Sequence, residues 1–219
     1  MTTRTSGKPR RRRAVRRDAL INREKILTVA AELMGQRGRN IALADIADAA
    51  GVGIGTFYRG YPDRTALLHA LEHRAYDLLI AALERIGTSG QTGAAAVQSY
   101  LEECLALGDQ LVLPLCGAPP LTDAEAIQAR RRINQALEQF LADGRADGVV
   151  RADINATDVI ACGAMVTQPL PRGPQWPRIA RRHIALFVDG IQTSGGQRLA
   201  DPAVTRQDIE TAFAAEAPD

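Results

Sequence analysis

An all-α fold is predicted for this 219-residue chain from three observations. Alanine and leucine, at 37 and 22 residues, supply more than a quarter of it, and both favour helix. β-Branched residues are sparse and never alternate with polar ones over a strand's length. No proline falls between Pro9 and Pro62, Pro62 and Pro114, or Pro120 and Pro169, and since proline is excluded from helix interiors, those gaps are where the helices lie.

The elements follow in order. Asn22 is a candidate cap for a first helix, because Ile26, Ala30, Leu33 and Met34 recur at helical spacing before Gly38 stops the run. In a short second helix Leu43, Ile46, Ala47 and Ala50 fall at i, i+3, i+4 and i+7, and Gly51-Val52-Gly53 ends it. A third runs only from about Ile54 to Tyr61, because Pro62 halts it. Asp63 can cap a long fourth helix striped by Leu67, Leu68, Leu71, Leu78, Leu79 and Ala82, as far as Gly87. Another helix spans Gly93 to Leu113, and Thr122-Asp123-Ala124-Glu125 has the spacing of a capping box opening one that ends between Gly144 and Gly148. Asn155 or Thr157 caps a helix reaching Thr167; a last one follows the proline-rich loop 168–177 and runs to about Ile191. The tail from 194 to 219 reads as weakly ordered, with a frayed turn at Ile209 to Phe213.

Composition excludes several classes. With 46% hydrophobic and 24% charged residues the chain is globular in balance, and no apolar run approaches the roughly 20 residues a membrane span needs. The first residues carry arginines with no apolar segment behind them, so no secretory leader is expected. Three cysteines (Cys104, Cys116, Cys162) make no disulfide framework and read as buried small hydrophobes in a reducing cytoplasm. The net charge of +2 hides an asymmetry: residues 1–75 hold 15 Lys and Arg against 7 Asp and Glu, and the remainder is acidic. A polyanion partner would therefore bind at the front.

Two short helices joined by a tight glycine turn are what a DNA-reading helix-turn-helix requires. Small Ala47 lets the helices approach, Gly51 four residues on allows a left-handed backbone, and Val52 and Phe57 fill the space between them. The other face offers Thr56, Tyr58 and Arg59, with Tyr61 at its end and Arg64 past the proline, groups able to reach phosphates and base edges. Three of the nine aromatic residues lie within positions 57–61, and an ordinary helical hairpin would account for Phe57 but not for Tyr58.

The run IALADIADAAGVGIGTFYRGYPDRTALLHAL resembles the signature of TetR-family transcriptional regulators, and the likeness extends upstream to Arg23, Ile26, Leu27, Ala30, Leu33 and Gly38. Residues 1–18 have too little apolar content to fold alone and read as a basic flexible arm, while the resemblance implies a DNA-binding domain over 19–79 with its helix-turn-helix at 42–61 and a ligand-binding and dimerisation domain over 80–193. It implies phosphate contacts from Thr56 and Tyr58, a base contact from Arg59 and a backbone contact from Arg64. Ala42 and Leu43, and Gly53, Ile54 and Gly55, complete the candidate DNA contacts at the starts of the two helices. The family usually has Ser or Thr where this chain has Gly53, and His or Tyr where it has Gly60. Gly60 thus removes a phosphate contact and loosens the helix end by about 1 kcal/mol relative to alanine. In the leading GKPRRRRAVRR, Arg12, Arg13 and Arg16 are candidates to follow phosphates or enter a minor groove, against the alternative of a solvated tail.

Two rival chemistries are legible. GVGIGT has the look of a glycine-rich nucleotide loop, but a dinucleotide site needs a preceding buried strand and LADIADAA is helical by period. His69-Ala70-Leu71-Glu72-His73 has the H-x-x-E-H spacing of an inverted zinc-peptidase motif, which would make the protein a zinc hydrolase with Glu72 as base. Nothing marks a third ligand, and a solvent-facing histidine pair is the simpler reading, so no metal, cofactor or catalytic residue is expected. His183, spaced with Ala180, Ile184 and Phe187, reads as a packed or interface histidine.

For the C-terminal body the candidate dimer contacts are Val159, Gly163, Val166, Ile184, Phe187, Val188 and Ile191, with the monomer's own core as the alternative place for the stripe. Candidate pocket residues are Tyr100, Cys104, Leu105, Gln128, Phe140, Met165, Gln168 and Trp176. The expected function is a homodimeric, non-enzymatic repressor binding palindromic double-stranded DNA, with no membrane partner and release by an unidentified small-molecule effector. The alternative within the same class is a DNA-binding protein without an effector.

Overall fold

A computed structural model of the chain describes residues 8–111, 121–167, 174–193 and 197–216. Among them lie nine α-helices and no strand, with one isolated bridge between Val150 and Gln192. They are α1 (Lys8–Arg37), α2 (Leu43–Ala49), α3 (Ile54–Gly60), α4 (Arg64–Thr88), α5 (Gly93–Leu107), α6 (Ala124–Ala146), α7 (Ala156–Thr167), α8 (Trp176–Gly190) and α9 (Arg206–Glu216). Packing divides the chain into two units, Met1–Leu71 and Glu72–Asp219, with the division inside α4 and not after Leu79.

In the first unit α1 begins at Lys8, well before the expected cap at Asn22, so the leading arm expected to be flexible is helical from Lys8 onward. The residues ahead of Asn22 are mostly arginine, alanine and leucine, good helix formers, and Pro9 sits in the first turn where its missing N–H costs nothing. Gly38 ends α1 at φ 86° and donates its N–H to the Met34 carbonyl at 2.9 Å. Ile26, Leu27, Ala30, Ala31 and Met34 bury one stripe of α1 with Ile46, Ala47, Phe57, Leu67 and Leu71. Asp63 caps α4 as expected, accepting from the Ala66 amide at 2.8 Å.

In the second unit α5 packs against α6, α7 and α8. Ala96, Val97, Tyr100, Leu101 and Cys104 are its buried stripe. Gly108, at φ 46°, ends α5 at Leu107 and not at Leu113, and a 3-10 turn over Gly108–Leu111 follows. The start of α5 crosses the end of α6 at glycines: a Cβ on Gly144 would lie 2.7 Å from the Gly93 Cα and 2.4 Å from Val150 Cγ2. The cap of α6 is Asp123, which accepts from the Glu125 and Ala126 amides at 3.0 Å each, so the box expected at Thr122 is shifted by one residue. Asn155 caps α7 through its Oδ1, and Asp158 returns the bond to the Asn155 amide at 2.8 Å.

The expectation of a weakly ordered tail is corrected over 206–216, which forms α9. Thr205 and Asp208 make a reciprocal cap there, and Arg130 on α6 donates to both carboxylate oxygens of Glu210 at 2.9 and 2.7 Å. The Thr-x-x-Asp spacing at 205–208 was a legible start signal.

Candidate nucleic-acid interface

The turn between α2 and α3 is built on Gly51. At φ 63° its backbone is left-handed, its N–H bonds the Asp48 carbonyl at 2.9 Å, and the Val52 N–H reaches back to Ala47 at 3.0 Å. A side chain there would be strained by the φ and would press on Lys25 Nζ at 3.3 Å. Ala47 is wholly buried and Val52 half-buried, so α2 and α3 approach as the small residue allows.

On α3 Phe57 is 0% exposed and is the anchor of the helix. Its ring meets Tyr61 at 5.7 Å and Tyr58 edge-on at 5.9 Å. The opposite face is open: Gly53, Ile54, Gly55, Thr56, Tyr58 and Arg59 are all exposed, with Tyr58 at 47%. Arg59 Nη2 donates to Thr56 Oγ1 at 3.0 Å, one turn back, which orders the guanidinium beside the hydroxyl on that surface. Ala42, the exposed N-cap of α2, and half-buried Leu43 stand at the start of α2. A Cβ on Gly53, Gly55 or Gly60 would meet nothing within 4 Å, so these glycines leave the surface bare and are not demanded by packing.

Two of the expected DNA contacts need correction. Tyr61 is only 4% exposed, packed against Phe57, so it belongs to the core and not to the outward face. Arg64 donates through Nη2 to the Ile41 carbonyl at 2.6 Å and through Nη1 to the Arg39 carbonyl. Its guanidinium therefore clamps the loop between α1 and α2. The side chains of Arg12, Arg13 and Arg16 lie outside the described residues, although the backbone there is helical.

The H-x-x-E-H motif is not assembled as a hydrolase would need. Glu72 is 4% exposed and accepts from the Tyr76 hydroxyl at 2.7 Å and the Leu121 amide at 3.1 Å, a carboxylate committed to holding structure. Burial and the Glu72 charge push the Tyr76 phenol well above its ordinary value. His73 instead faces Asp123 at 3.4 Å. His183 is exposed, with Nδ1 at 2.9 Å from the Ile179 carbonyl.

The stripe expected at a dimer interface turns inward. Val159, Gly163, Val166, Ile184, Val188 and Ile191 are buried, and Phe187 is half-buried against the same core. The helical phase was right but its partner is α5, with Gly163 set against Cys104 Sγ and the Tyr100 ring. The exposed apolar side chains of α7 and α8 are Met165 at 66%, Leu186 at 66% and Ile179. Of the expected pocket residues, Tyr100, Cys104 and Phe140 are buried, and Leu105 and Trp176 pack at the edge of the core. Gln128 and Met165 are exposed, on the opposite sides of their helices, and are corrected; Gln168 lies outside the described residues. Burial pushes the Cys104 thiol up to about 12 and that of Cys162 up to about 11, which disfavours the thiolate at both. Cys116 lies outside the described residues.

Residues 26–71 match the family model of bacterial regulatory proteins of the tetR family, and residues 95–193 match the C-terminal domain model described as transcriptional regulator SbtR-like. Over 67 residues, 31% of this chain and 35% of the relative, the sequence is 48% identical to the HTH-type transcriptional repressor LfrR of Mycolicibacterium smegmatis. The chain aligns with about a third of that relative's length, and with 50% of an HTH-type transcriptional regulator of Staphylococcus aureus at 30% identity. Among solved structures, the LfrR protein of Mycobacterium smegmatis in complex with proflavine is 28% identical, with a TM-score of 0.59 covering 81% of this chain and 98% of that one. The TetR transcriptional regulator SCO0520 from Streptomyces coelicolor is 27% identical, with a TM-score of 0.56 covering 78% and 98%. No described helix is long and apolar enough to cross a membrane.

Proposed function

We propose, from the premise that the chain belongs to the TetR family of bacterial regulators, that it is a cytoplasmic transcriptional repressor that binds palindromic operator DNA as a homodimer and leaves it on binding a small molecule. The observation that carries this reading is α3, a helix anchored by buried Phe57 with Ile54, Thr56, Tyr58 and Arg59 turned outward. Thr56 and Tyr58 supply hydroxyls for phosphates, and Arg59 a donor for a guanine edge or a phosphate. Ala42, Leu43, Gly53 and Gly55 let the backbone come close to the duplex, and the helical start of α1 carries Arg12, Arg13 and Arg16 as a salt-sensitive arm. Arg64 acts indirectly, by holding the loop that enters α2.

One short helix reads few base pairs, so two copies one DNA turn apart are needed for a palindrome. Met165, Ile179 and Leu186, exposed on α7 and α8, are the side chains that would pair two copies, in place of the inward stripe. The effector reading is supported by a relative solved with proflavine, which makes that planar aromatic cation the first compound to test. Tyr100, Phe140 and Trp176 in the second unit's core are the aromatic groups that would meet it. DNA and effector must weaken each other's binding by the same factor. The protein then works by binding, without a reaction of its own.

The test is selection of bound fragments from genomic DNA, followed by titration of the selected site with wild type and Tyr58→Ala. Enrichment of one palindrome and weaker binding by the variant are expected. Recovery of no shared sequence, or an unchanged titration, overturns the reading.

A further inference from the structure

The turn that opens α6 brings two carboxylates to one imidazole. His73 projects from α4, while Asp123 caps α6 and Glu125 stands in its first turn. One donor atom from each of the three lies within 4.8 Å of the others. The His73 Nε2 to Asp123 Oδ2 distance is 3.4 Å, long for a hydrogen bond between ring nitrogen and carboxylate. Zinc-sized ions hold nitrogen and oxygen ligands at about 2.0 to 2.2 Å, which spaces neighbouring ligand atoms about 3.4 Å apart in a tetrahedron.

Asp123 can serve without giving up its place in the fold. Its Oδ1 accepts both the Glu125 and Ala126 amides, and Oδ2 is the atom that faces His73. Two carboxylates match the charge of a divalent ion, and the imidazole favours a transition metal over calcium. The absence of sulfur in the set disfavours copper(I). His73 is half-buried, while Asp123 and Glu125 are exposed, so an ion has both a fixed ligand and an entrance.

We propose that His73, Asp123 and Glu125 bind one divalent transition-metal ion of the zinc class, with water completing its shell, and that the ion ties α4 to the start of α6. This is not the site the H-x-x-E-H spacing suggests: Glu72 is committed elsewhere, and the cluster is His73, Asp123 and Glu125 without His69. The site stands independently of the DNA-binding reading.

The test uses untagged, chelator-stripped full-length protein titrated with Zn²⁺ by calorimetry and with Co²⁺ by visible absorption. One ion per chain is expected, with a rise in Tm on zinc addition. His73→Ala and Glu125→Gln should each weaken zinc binding at least tenfold, and His69→Ala should leave it unchanged. Asp123→Asn keeps a good helix cap while losing the charge, and should weaken binding similarly; with Glu125→Gln it decides the matter if His73→Ala fails to fold. The proposal is overturned if no stoichiometric ion binds or if the His73 and Glu125 variants bind as tightly as wild type. It is equally overturned if His69→Ala costs as much as His73→Ala, which would assign the ion to the helical histidine pair.

Discussion

Phe57 and Tyr58 are chain neighbours whose rings meet edge-on at 5.9 Å, yet the first is sealed in the core and the second stands 47% exposed. That contrast sets two outcomes apart. Tyr58→Ala should keep the wild-type Tm and lower operator affinity at least tenfold, about 1.4 kcal/mol. Phe57→Ala should lose about 3 to 5 kcal/mol of stability, because a filled space is emptied. Thermal melts alongside a fluorescence-anisotropy titration separate the two, and equal loss of Tm in both variants would place Tyr58 in the fold.

The Arg64 clamp predicts a stability effect where sequence spacing predicted a DNA contact. Lysine has a single ammonium and cannot reproduce a fork that reaches both Arg39 and Ile41 carbonyls. Arg64→Lys should lower stability by about 1 kcal/mol, discounted for the partial exposure of the site. Denaturant melts in the absence of DNA are the measurement; no change there, with a loss of DNA affinity, would return Arg64 to the interface.

Gly144 tolerates no side chain. An added methyl would lie 2.7 Å from the Gly93 Cα and 2.4 Å from Val150, and the Gly93 backbone cannot yield as a flexible side chain would. Gly144→Ala should cost about 1 to 3 kcal/mol by overpacking, despite alanine's better helix propensity. Gly60→Ala, where a Cβ meets open space, should be neutral or mildly stabilising in the same melt.

The docking of α9 should depend on acid. Hydrogen bonds from Arg130 hold the Glu210 carboxyl below its ordinary value of 4.5. A carboxyl lowered in the folded state stabilises it fully above that ordinary value and loses the contribution as the pH falls through its lowered one. The protection of amides over 206–216 against hydrogen exchange, taken relative to the intrinsic exchange rate at each pH, should therefore be high at neutral pH and fall below about 4.5. Glu210→Gln should show low protection already at neutral pH and little further loss on acidification; a wild type whose protection does not change with pH would count against the ion pair.

If two copies pair through the exposed side chains of α7 and α8, Leu186→Glu should shift the protein from dimer to monomer in sedimentation without a fall in monomer stability. A carboxylate at Ile184, which is buried, should unfold the second unit instead. A Leu186→Glu protein that remains dimeric would move the interface elsewhere.

Local periodicity and turn chemistry made the helix-turn-helix legible, since Ala47, Gly51 and Phe57 all act within a few residues of one another. The same periodicity found the faces of α7 and α8 but not what covers them, because a stripe at helical spacing looks alike against a sister helix or a sister chain. Glu72 shows the limit for motifs: spacing made it a candidate base, and the amide of Leu121, 49 residues away, made it a structural anchor.

By itself, then, the sequence determined what depends on neighbours along the chain: all-helical character, the glycine bend, the outward hydroxyls and guanidinium of α3, and the basic front. Tertiary structure decided what depends on residues distant in the chain. It turned Arg64 back onto a loop, buried Tyr61, faced the α7 and α8 stripe toward α5, docked α9 through a pair 80 positions apart, and gathered His73 with Asp123 and Glu125. A side chain's partner is fixed by which surfaces meet, and that is settled only when the apolar faces of the helices within each unit are buried together.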